Sequence, residues 1–422
     1  MTRIFAVNCL FAPPCGSFFG LCYNLNMKEN RYIAAIVGTG RIGFTLGFDK
    51  KREQPASHTM ALLGNKRINL IAAADSNKEN LENWRKYVRK HNGKKDFTLV
   101  FPTSKELYEN VTCLDIITVA VNEDNHLQEC IKAIEYKPKL VILEKPVALN
   151  TEEAEKIRDK AKECGVPVMV NHERRFAKDY LSVVKMIGQI GDIQSVVGEL
   201  DSGLRIYGEE FEKDGTYSLL HDGTHLVDII QFLLGGNLAK KDKTNDRSEE
   251  NKEFSGKKAD SASSKESSSR SVDTVSSKES SSQILINPTV TGIYKDEKGI
   301  VRNFSAHYQS VVTSFGTIPE VTIKMSGRSK FFEFRIEILG TLGKICIGNG
   351  FAELFLRKES KLYTGFYSLT KQKLKLPKKT GYFSGMIQNA VDFLDGQSEL
   401  VSPLEDAISD LRVLEEIKAG LK

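Results

Sequence analysis

The chain has 422 residues, of which 40% are hydrophobic and 27% are charged, and its formal net charge is +5. This length accommodates two domains with separate cores, and the apolar fraction is ordinary for a globular protein. The basic residues are spread along the chain, and beyond its first segment no apolar run reaches the about 18 residues of a spanning helix. Neither nucleic acid nor a membrane is therefore expected as a partner.

The seven cysteines form no C-x-x-C pair and no regular framework. This pattern indicates reduced thiols in a cytoplasmic protein rather than a disulfide scaffold. Residues 1–27 form an uncertain leader. Arg3 and the apolar run from Ile4 to Tyr23 resemble a signal peptide, but Pro13 and Pro14 interrupt the run and no convincing cleavage site follows. We therefore favour a mis-assigned start, with translation beginning at Met27.

Residues 28–148 alternate apolar runs with amphipathic stretches, a pattern typical of a parallel sheet covered by helices. This pattern predicts an N-terminal Rossmann domain. Its predicted strands are Tyr32–Val37, Ile68–Ala74, Leu99–Phe101, Asp115–Val119 and Leu140–Leu143. A loop insertion is expected after residue 46, before a helix near His58–Leu63, because Pro55 and a run of charges interrupt any longer helix. Asn150, with Glu153 three residues later, predicts the start of a further helix.

Residues 149–422 are predicted to form a C-terminal α+β domain with a mostly antiparallel, open-faced sheet. The predicted strands are Pro167–Val170, Ile193–Leu200, Ile284–Tyr294, Phe304–Val312, Glu320–Lys324, Phe331–Leu339, Lys344–Gly348 and Ala352–Arg357. Helices are expected over Thr224–Leu234, Gly385–Leu394 and Leu404–Leu421. Residues 239–283 are rich in Ser, Lys and Glu and nearly lack aromatic residues, so we predict a disordered insertion in a surface loop.

A glycine-rich motif, G-x-G-x-x-G, follows the first predicted strand and precedes an expected helix. Its residues are Gly38, Thr39, Gly40, Arg41, Ile42 and Gly43. The glycines permit a tight turn, a close approach of a pyrophosphate to the backbone, and close helix packing. The free N–H groups of the helix N-terminus would face the anion. The motif therefore predicts a dinucleotide site.

Asp75 follows the second predicted strand, where an acidic side chain accepts hydrogen bonds from the adenosine ribose hydroxyls. A carboxylate here repels a 2′-phosphate, so NAD(H) is favoured over NADP(H), although Lys78 and Arg85 lie downstream. The spacing from Gly38 to Asp75 exceeds the usual about 20 residues, which the loop insertion explains.

Glu144, Lys145 and Pro146 follow the last strand of the predicted parallel sheet. Ligands bind at the carboxyl ends of strands in such sheets, so Lys145 is a candidate catalytic residue beside the nicotinamide. The bond before Pro146 is a candidate cis peptide.

The segment His221-Asp222-Gly223-Thr224-His225 places two histidines one helical turn apart. They suit proton transfer near neutral pH. A zinc site is not predicted, because no H-E-x-x-H motif and no third ligand accompany them. Asp228, one turn further, is expected to cap the helix or lie on its surface.

Asn171, Arg174 and Arg175 follow the run Pro167–Val170. Two arginines at a strand end could bind a carboxylate or phosphate of a substrate. An ion-pair network with neighbouring acids is the alternative, and the sequence does not separate the two.

These motifs, taken in chain order, resemble the Gfo/Idh/MocA family, which includes glucose–fructose oxidoreductase and inositol dehydrogenase. The similarity rests on Gly38–Gly43, Asp75, Glu144–Pro146, Asn171 with Arg174–Phe176, Gly223–Asp228 and the segment Phe334–Gly343. It extends from about Tyr32 to the C-terminus, apart from the serine-rich insertion.

The resemblance implies hydride transfer between NAD and a secondary alcohol or ketone carbon of a sugar, cyclitol or sugar nucleotide. It implies that Lys145 binds the reacting hydroxyl and passes on its proton, and that His225 acts as acid or base. Many members carry Asp four residues before that histidine, where this chain has His221. Asp222 is displaced by one residue and would point about 100° away around a helix, so it is not given that role and is kept as a substrate-binding candidate with Asn171. A homodimer or homotetramer is also implied.

Two alternatives remain open from the sequence. One is an NADP-dependent reductase of a small carbonyl compound. The other is a nucleotide-binding sensor or assembly protein without catalytic activity, which the altered Asp position favours and the retained Lys145 and His225 disfavour.

Overall fold

The computed structural model describes residues 31–93, 98–206, 208–235 and 283–422. The predicted leader lies outside the described residues. So does the predicted insertion 239–283, apart from Gln283 at its end.

The N-terminal domain contains a six-stranded parallel sheet in the order β3-β2-β1-β4-β5-β6. Its strands are β1 Tyr32–Val37, β2 Ile68–Ala74, β3 Leu99–Phe101, β4 Ile116–Val119, β5 Leu140–Leu143 and β6 Val168–Val170. The first five agree with the predicted strands. The run containing β6 was assigned to the C-terminal domain from its sequence, but Val168–Val170 pairs in parallel with Val141–Leu143. The first sheet thus continues beyond residue 148.

Helices cover both faces of this sheet and thereby bury its central strands on both sides. They are α1 His58–Gly64, α2 Lys78–Asn92, α3 Ser104–Asn110, α4 His126–Glu135 and α5 Thr151–Cys164. The Asn150 side chain accepts a hydrogen bond from the Glu153 N–H, which confirms the predicted cap of α5. Gly165 ends the helix in the left-handed conformation.

The expected helix directly after the glycine motif is absent from the structure. The chain instead forms turns and a four-residue 3-10 helix, Thr45–Phe48, and residues 49–57 form the predicted loop before α1. The charged run and Pro55 give this loop no continuous apolar face to pack as a helix. The first turn of helix α1 packs against the end of the glycine motif. There the His58 and Thr59 N–H groups donate to the Ile42 and Gly43 carbonyls, at 3.2 and 2.9 Å.

The C-terminal domain contains an eight-stranded sheet in the order β14-β13-β12-β11-β7-β10-β9-β8. Its strands are β7 Ile193–Gly203, β8 Thr289–Lys295, β9 Val301–Thr313, β10 Gly316–Ser326, β11 Arg328–Gly340, β12 Gly343–Gly348, β13 Phe351–Glu359 and β14 Tyr367–Lys371. All neighbours are antiparallel except β7 and β10, so the predicted α+β architecture is confirmed. Strand β14 was not expected from the sequence, and all five of its residues are exposed.

Four helices join the two sheets: α6 Lys178–Met186, α7 Tyr217–Gly235, α8 Tyr382–Leu394 and α9 Leu404–Gly420. Helix α7 packs its apolar face against the second sheet. Helices α8 and α9 return to the first domain, where Phe383, Met386 and Leu404 join its two hydrophobic clusters. The end of the chain therefore clamps the two domains together, and α7 is held beside the carboxyl edge of the first sheet.

The thiols of Cys130, Cys164 and Cys346 are free. Cys113 is disulfide-bonded, so the prediction that every cysteine is reduced is wrong for that residue. Within the described part of the chain, every helix is too short or too polar to cross a membrane.

Candidate active site

The glycine motif forms a cradle at the carboxyl end of β1. Gly38 has a φ of +95°, and a Cβ there would lie 2.4 Å from the Ala120 carbonyl oxygen. A Cβ on Gly43 would lie 2.1 Å from the Gly38 carbonyl oxygen, so neither position tolerates a side chain. A Cβ on Gly40 would meet nothing within 4 Å, because this residue borders open space. The cradle therefore leaves its backbone accessible to a phosphate group, as a dinucleotide requires.

Asp75 lies directly after β2, beside the cradle. Its Oδ2 accepts hydrogen bonds from the Thr39 N–H at 2.7 Å and the Thr39 hydroxyl at 2.8 Å. Its Oδ1 accepts from the Asn77 N–H at 2.8 Å. The carboxylate thus fixes the glycine loop and still borders the cavity, where its remaining lone pairs can accept from ribose hydroxyls.

Glu144 anchors the candidate catalytic segment after β5. Its Oε1 accepts from His58 Nε2 at 2.5 Å and from the Asn171 amide at 2.6 Å. Burial opposes ionisation of Glu144, but its hydrogen bond and charge interaction with His58, then Asn171 and Lys145, outweigh burial and lower its pKa. This fixed anion sets the direction in which the next residue, Lys145, leaves the strand. The Lys145–Pro146 peptide bond is cis.

The Lys145 ammonium reaches across to the second domain. Its Nζ lies 3.4 Å from Nε2 of His221 on α7. Burial lowers the pKa of Lys145, and the carboxylates of Glu144, Asp222 and Glu173 only partly oppose this effect. A lysine with a lowered pKa exchanges its proton more readily near neutral pH than an exposed one.

His221 contacts two groups on its other side. Its Nδ1 lies 3.5 Å from the Tyr217 hydroxyl and 3.6 Å from the Glu123 carboxylate, while that hydroxyl donates to Glu123 at 2.6 Å. Burial, followed by the charge of Lys145, lowers the pKa of His221 to about 2. The ring is therefore neutral at physiological pH.

His225 lies one turn further along α7 and borders the same cavity. Burial and the charge of Lys145 lower its pKa well below the usual value, so it is also neutral. Asp222 borders the cavity as well, and burial raises the pKa of its carboxyl against the opposing charge of Lys145.

The two arginines that follow β6 do not border this cavity. Arg174 stacks over the Phe334 ring, with 4.0 Å from its Cζ to the ring centroid. Arg175 donates from Nε to Asp228 at 2.7 Å and also pairs with Asp406, so it has the ion-pair role that was the alternative. Both side chains are buried, Arg174 against the second sheet and Arg175 against α9. Asp228, expected at a cap or on the surface, is buried.

Asn171 is the member of that segment that does border the cavity. Its Nδ2 donates to Glu144, while its buried Oδ1 makes no hydrogen bond within the described residues. The adjacent His172 lies 2.9 Å from Asp228 and 3.8 Å from Asp410. These three side chains have the spacing of a metal-ligand group, but the Arg175 guanidinium already pairs with both carboxylates.

One cavity of about 990 Å³ joins the cradle, Asp75 and the catalytic candidates. The sequence-predicted residues that border it are Gly38, Gly40, Arg41, Ile42, Asp75, Glu144, Lys145, Asn171, His221, Asp222 and His225. Thr39 and Gly43 do not border the cavity. The cradle, the acid after β2 and the lysine at the end of β5 are arranged as nicotinamide dinucleotide binding requires, so the residues present fit this cofactor.

Three residues of the site were missed from the sequence: His58, Glu123 and Tyr217. His58 contacts Glu144, 86 residues away along the chain, and Glu123 contacts His221, 98 residues away. No local pattern indicates such pairs. Tyr217 lies four residues before His221, and its helical spacing was the one signal that could have been used.

Comparison with known proteins agrees with this geometry. Residues 33–172 match the model of the GFO_IDH_MocA family, described as an oxidoreductase family with an NAD-binding Rossmann fold. A curated relative, scyllo-inositol 2-dehydrogenase (NADP(+)) IolW of Bacillus subtilis (strain 168), is 29% identical over 145 residues. That match covers 32% of this chain and 40% of the relative's length.

Solved structures extend the similarity to the whole fold. A dehydrogenase from Chromobacterium violaceum has a TM-score of 0.63 at 15% identity, covering 92% of this chain and 94% of that one. The WlbA dehydrogenase from Bordetella pertussis, in complex with NADH and UDP-GlcNAcA, has a TM-score of 0.57 at 16% identity, covering 93% and 96%. Residues 33–172 are thus similar to the NAD-binding Rossmann domain of this oxidoreductase family, and the whole chain shares its two-domain fold with the solved dehydrogenase structures.

Proposed function

We propose that this protein is an NAD-dependent dehydrogenase that acts on a secondary alcohol carbon of a sugar, cyclitol or sugar nucleotide. The observation that carries the proposal is the position of Lys145. Its ammonium lies in the cavity of the glycine cradle and 3.4 Å from a neutral histidine of the second domain. A lysine that can exchange a proton and a neutral imidazole that can accept its hydrogen bond thus meet beside the cofactor site.

The roles of the chain's residues follow from this arrangement. The cradle and Asp75 hold the dinucleotide, whose nicotinamide supplies the hydride chemistry when bound. Lys145 binds the substrate hydroxyl and accepts its proton during oxidation. His225 and Asp222 border the same cavity and hold neighbouring hydroxyls, together with the free Oδ1 of Asn171.

The proposal is tested by measuring reduction of NAD+ and NADP+ against a panel of substrates. The panel contains scyllo- and myo-inositol, neutral sugars and UDP-sugars, because the relatives named above act on or bind such compounds. Turnover with at least one polyol supports the proposal. Tight cofactor binding without turnover of any member would favour the sensor alternative.

Replacement of Asp75 tests the cofactor preference. We expect the unaltered protein to bind NADH more tightly than NADPH, because the Asp75 carboxylate repels a 2′-phosphate. Asp75→Ser should narrow that difference by about tenfold, the effect of about 1.4 kcal/mol. Isothermal titration with both reduced cofactors measures it, and equal affinities in the unaltered protein would contradict the NAD assignment.

NADP remains the second candidate for a specific reason. The curated relative is NADP-dependent by name, and the cations of Arg41, Arg52 and Lys105 border the cavity. These side chains could balance the added charge of a 2′-phosphate. The titrations above decide between the two cofactors.

His225→Ala should lower turnover by about tenfold or more while cofactor affinity changes little. The neutral imidazole borders the cavity beside Lys145, where it can hold the reacting hydroxyl or share its proton. Steady-state kinetics on the best polyol measures the effect. A raised KM with unchanged kcat would show that His225 only binds the substrate.

We also propose that the chain functions as a homodimer or homotetramer and that residues 28–148 and 149–422 act as its cofactor and substrate domains. The second sheet favours association, because large side chains such as Val312, Phe331 and Phe332 are more than half exposed on its strands. Light scattering of the purified protein tests the oligomeric state.

A further inference from the structure

We infer that Glu123 and Tyr217 are positioning residues that orient His221 as the hydrogen-bond acceptor of Lys145. The inference rests on the proposed dehydrogenase activity. It assigns to this chain a hydrogen-bonded relay that crosses between the domains, Lys145–His221–Tyr217–Glu123.

The direction of each hydrogen bond follows from what each group can donate. Glu123 lies in the loop after β4, and its ionised carboxylate can only accept, so the Tyr217 hydroxyl donates to it at 2.6 Å. The lone pairs of that hydroxyl then face Nδ1 of His221 at 3.5 Å. Because the ring is neutral, a proton on Nδ1 leaves Nε2 unprotonated.

Nε2 of His221 is thus the acceptor that faces Lys145 Nζ at 3.4 Å. The carboxylate of Glu123, through Tyr217, holds the proton on the far nitrogen and leaves the near nitrogen as a hydrogen-bond acceptor, as a carboxylate does for a histidine in other proton-transfer sites. The two contacts of the ring are long for hydrogen bonds, which is common in enzymes without substrate.

The proton balance is complete within this relay. When a secondary alcohol is oxidised, the carbon loses a hydride to the cofactor and the oxygen loses a proton. The neutral amine of Lys145 takes the hydroxyl proton. The ammonium that forms donates a hydrogen bond to Nε2 of His221 until its proton leaves to solvent.

Several charges face His221 from the elements packed against it. Lys145, His126 and Arg205 disfavour its protonation, and Glu123, 3.6 Å from Nδ1, is the anion that opposes them. His225 is one turn away on α7 and is neutral. Removal of the Glu123 charge should lower the pKa of Lys145 and weaken it as a base, since Glu123 raises that pKa.

The test compares Glu123→Gln and Tyr217→Phe with the control Asp124→Asn. Asp124 is the exposed neighbour of Glu123 and contacts the Asn125 amide, so its variant removes the same charge without touching the relay. We expect Glu123→Gln to lower kcat about tenfold with little change in KM, and to move the acid limb of the kcat profile to lower pH. Tyr217→Phe should lower kcat while the limb stays near its original position, because the carboxylate remains.

Three outcomes overturn the inference: full kcat in Glu123→Gln, a loss of the same size in Asp124→Asn, or an increase confined to KM. Glu123→Asp serves as the conservative variant and should recover part of the lost kcat. Each kcat is compared with that of the unaltered protein. If the unaltered protein has no turnover, the proposed activity is refuted and not the role of Glu123. Thermal unfolding of each variant shows whether the fold is retained.

Discussion

Lys145→Ala should reduce turnover by about 10²-fold or more, the size expected when a positioned acid or base is removed. The loss should appear in kcat and in kcat/KM alike, because the ammonium acts on the proton that moves in the transition state. Affinity for NADH should change little, since the cradle and Asp75 hold the cofactor through other atoms. Stopped-flow and steady-state measurements on the same polyol separate these effects.

The matched control is Lys139→Ala. Lys139 immediately precedes the amino end of β5, and its exposed side chain pairs with Asp115, whereas Lys145 follows the carboxyl end of the same strand. The control should keep full turnover. Full activity of Lys145→Ala would refute the mechanism, although the similarity of fold would stand.

The rate of oxidation should depend on pH through the ionisation of Lys145. Burial lowers the pKa of Lys145 below the ordinary 10.5, so the neutral amine that accepts the hydroxyl proton becomes available at lower pH than for an exposed lysine. Oxidation should therefore rise with pH and level off below the range of an ordinary lysine, and Lys145→Ala should lack this limb.

The sequence predicted the first sheet well, because buried parallel strands are continuous apolar runs bounded by turn residues. The cradle, Asp75 and Lys145 were found for the same reason: each follows a strand that the pattern locates. Helix α7 and both its histidines were also expected, although the helix begins at Tyr217 rather than near the histidines.

What the sequence did not predict depends on contacts between distant segments. Val168–Val170 has the composition of either sheet, and only its pairing with β5 decides between them. The helix after the glycine motif was wrongly expected because motif and spacing do not show that α1 docks there instead. The relay partner Glu123 and the anchor His58 meet their targets only once the two domains and α1 have packed.

The role of Arg175, after β6, also could not be decided from the sequence. From the sequence, a substrate site and an ion-pair network were equally reasonable for Arg175. The structure pairs its guanidinium with Asp228 on α7 and with Asp406 and Asp410 on α9. This buried cluster lies where the two domains and the final helix meet, so we assign it to the stability of that joint rather than to catalysis.

Arg175→Leu should accordingly destabilise the protein by about 3–5 kcal/mol, the cost of leaving a buried carboxylate without its partner. Burial opposes ionisation of Asp228, but Arg175 and then His172 outweigh it and hold the pKa of Asp228 below the ordinary value, so its charge persists in the fold. Burial and the neighbouring Asp228 raise the pKa of Asp410, which leaves Asp228 and Asp406 as the anions that the arginine balances.

Urea unfolding followed by fluorescence and circular dichroism measures this loss. The control is Arg412→Leu, which breaks the pair of Arg412 with Glu155 at 2.6 Å near the surface of α9 and should cost about 0–1 kcal/mol. Both variants replace an arginine with leucine. The difference between their losses in free energy of unfolding therefore measures the cost of leaving buried carboxylates unpaired. Equal losses would show that the Arg175 cluster contributes no more than a surface ion pair, and the joint between the domains would then depend on the apolar contacts of α8 and α9 alone.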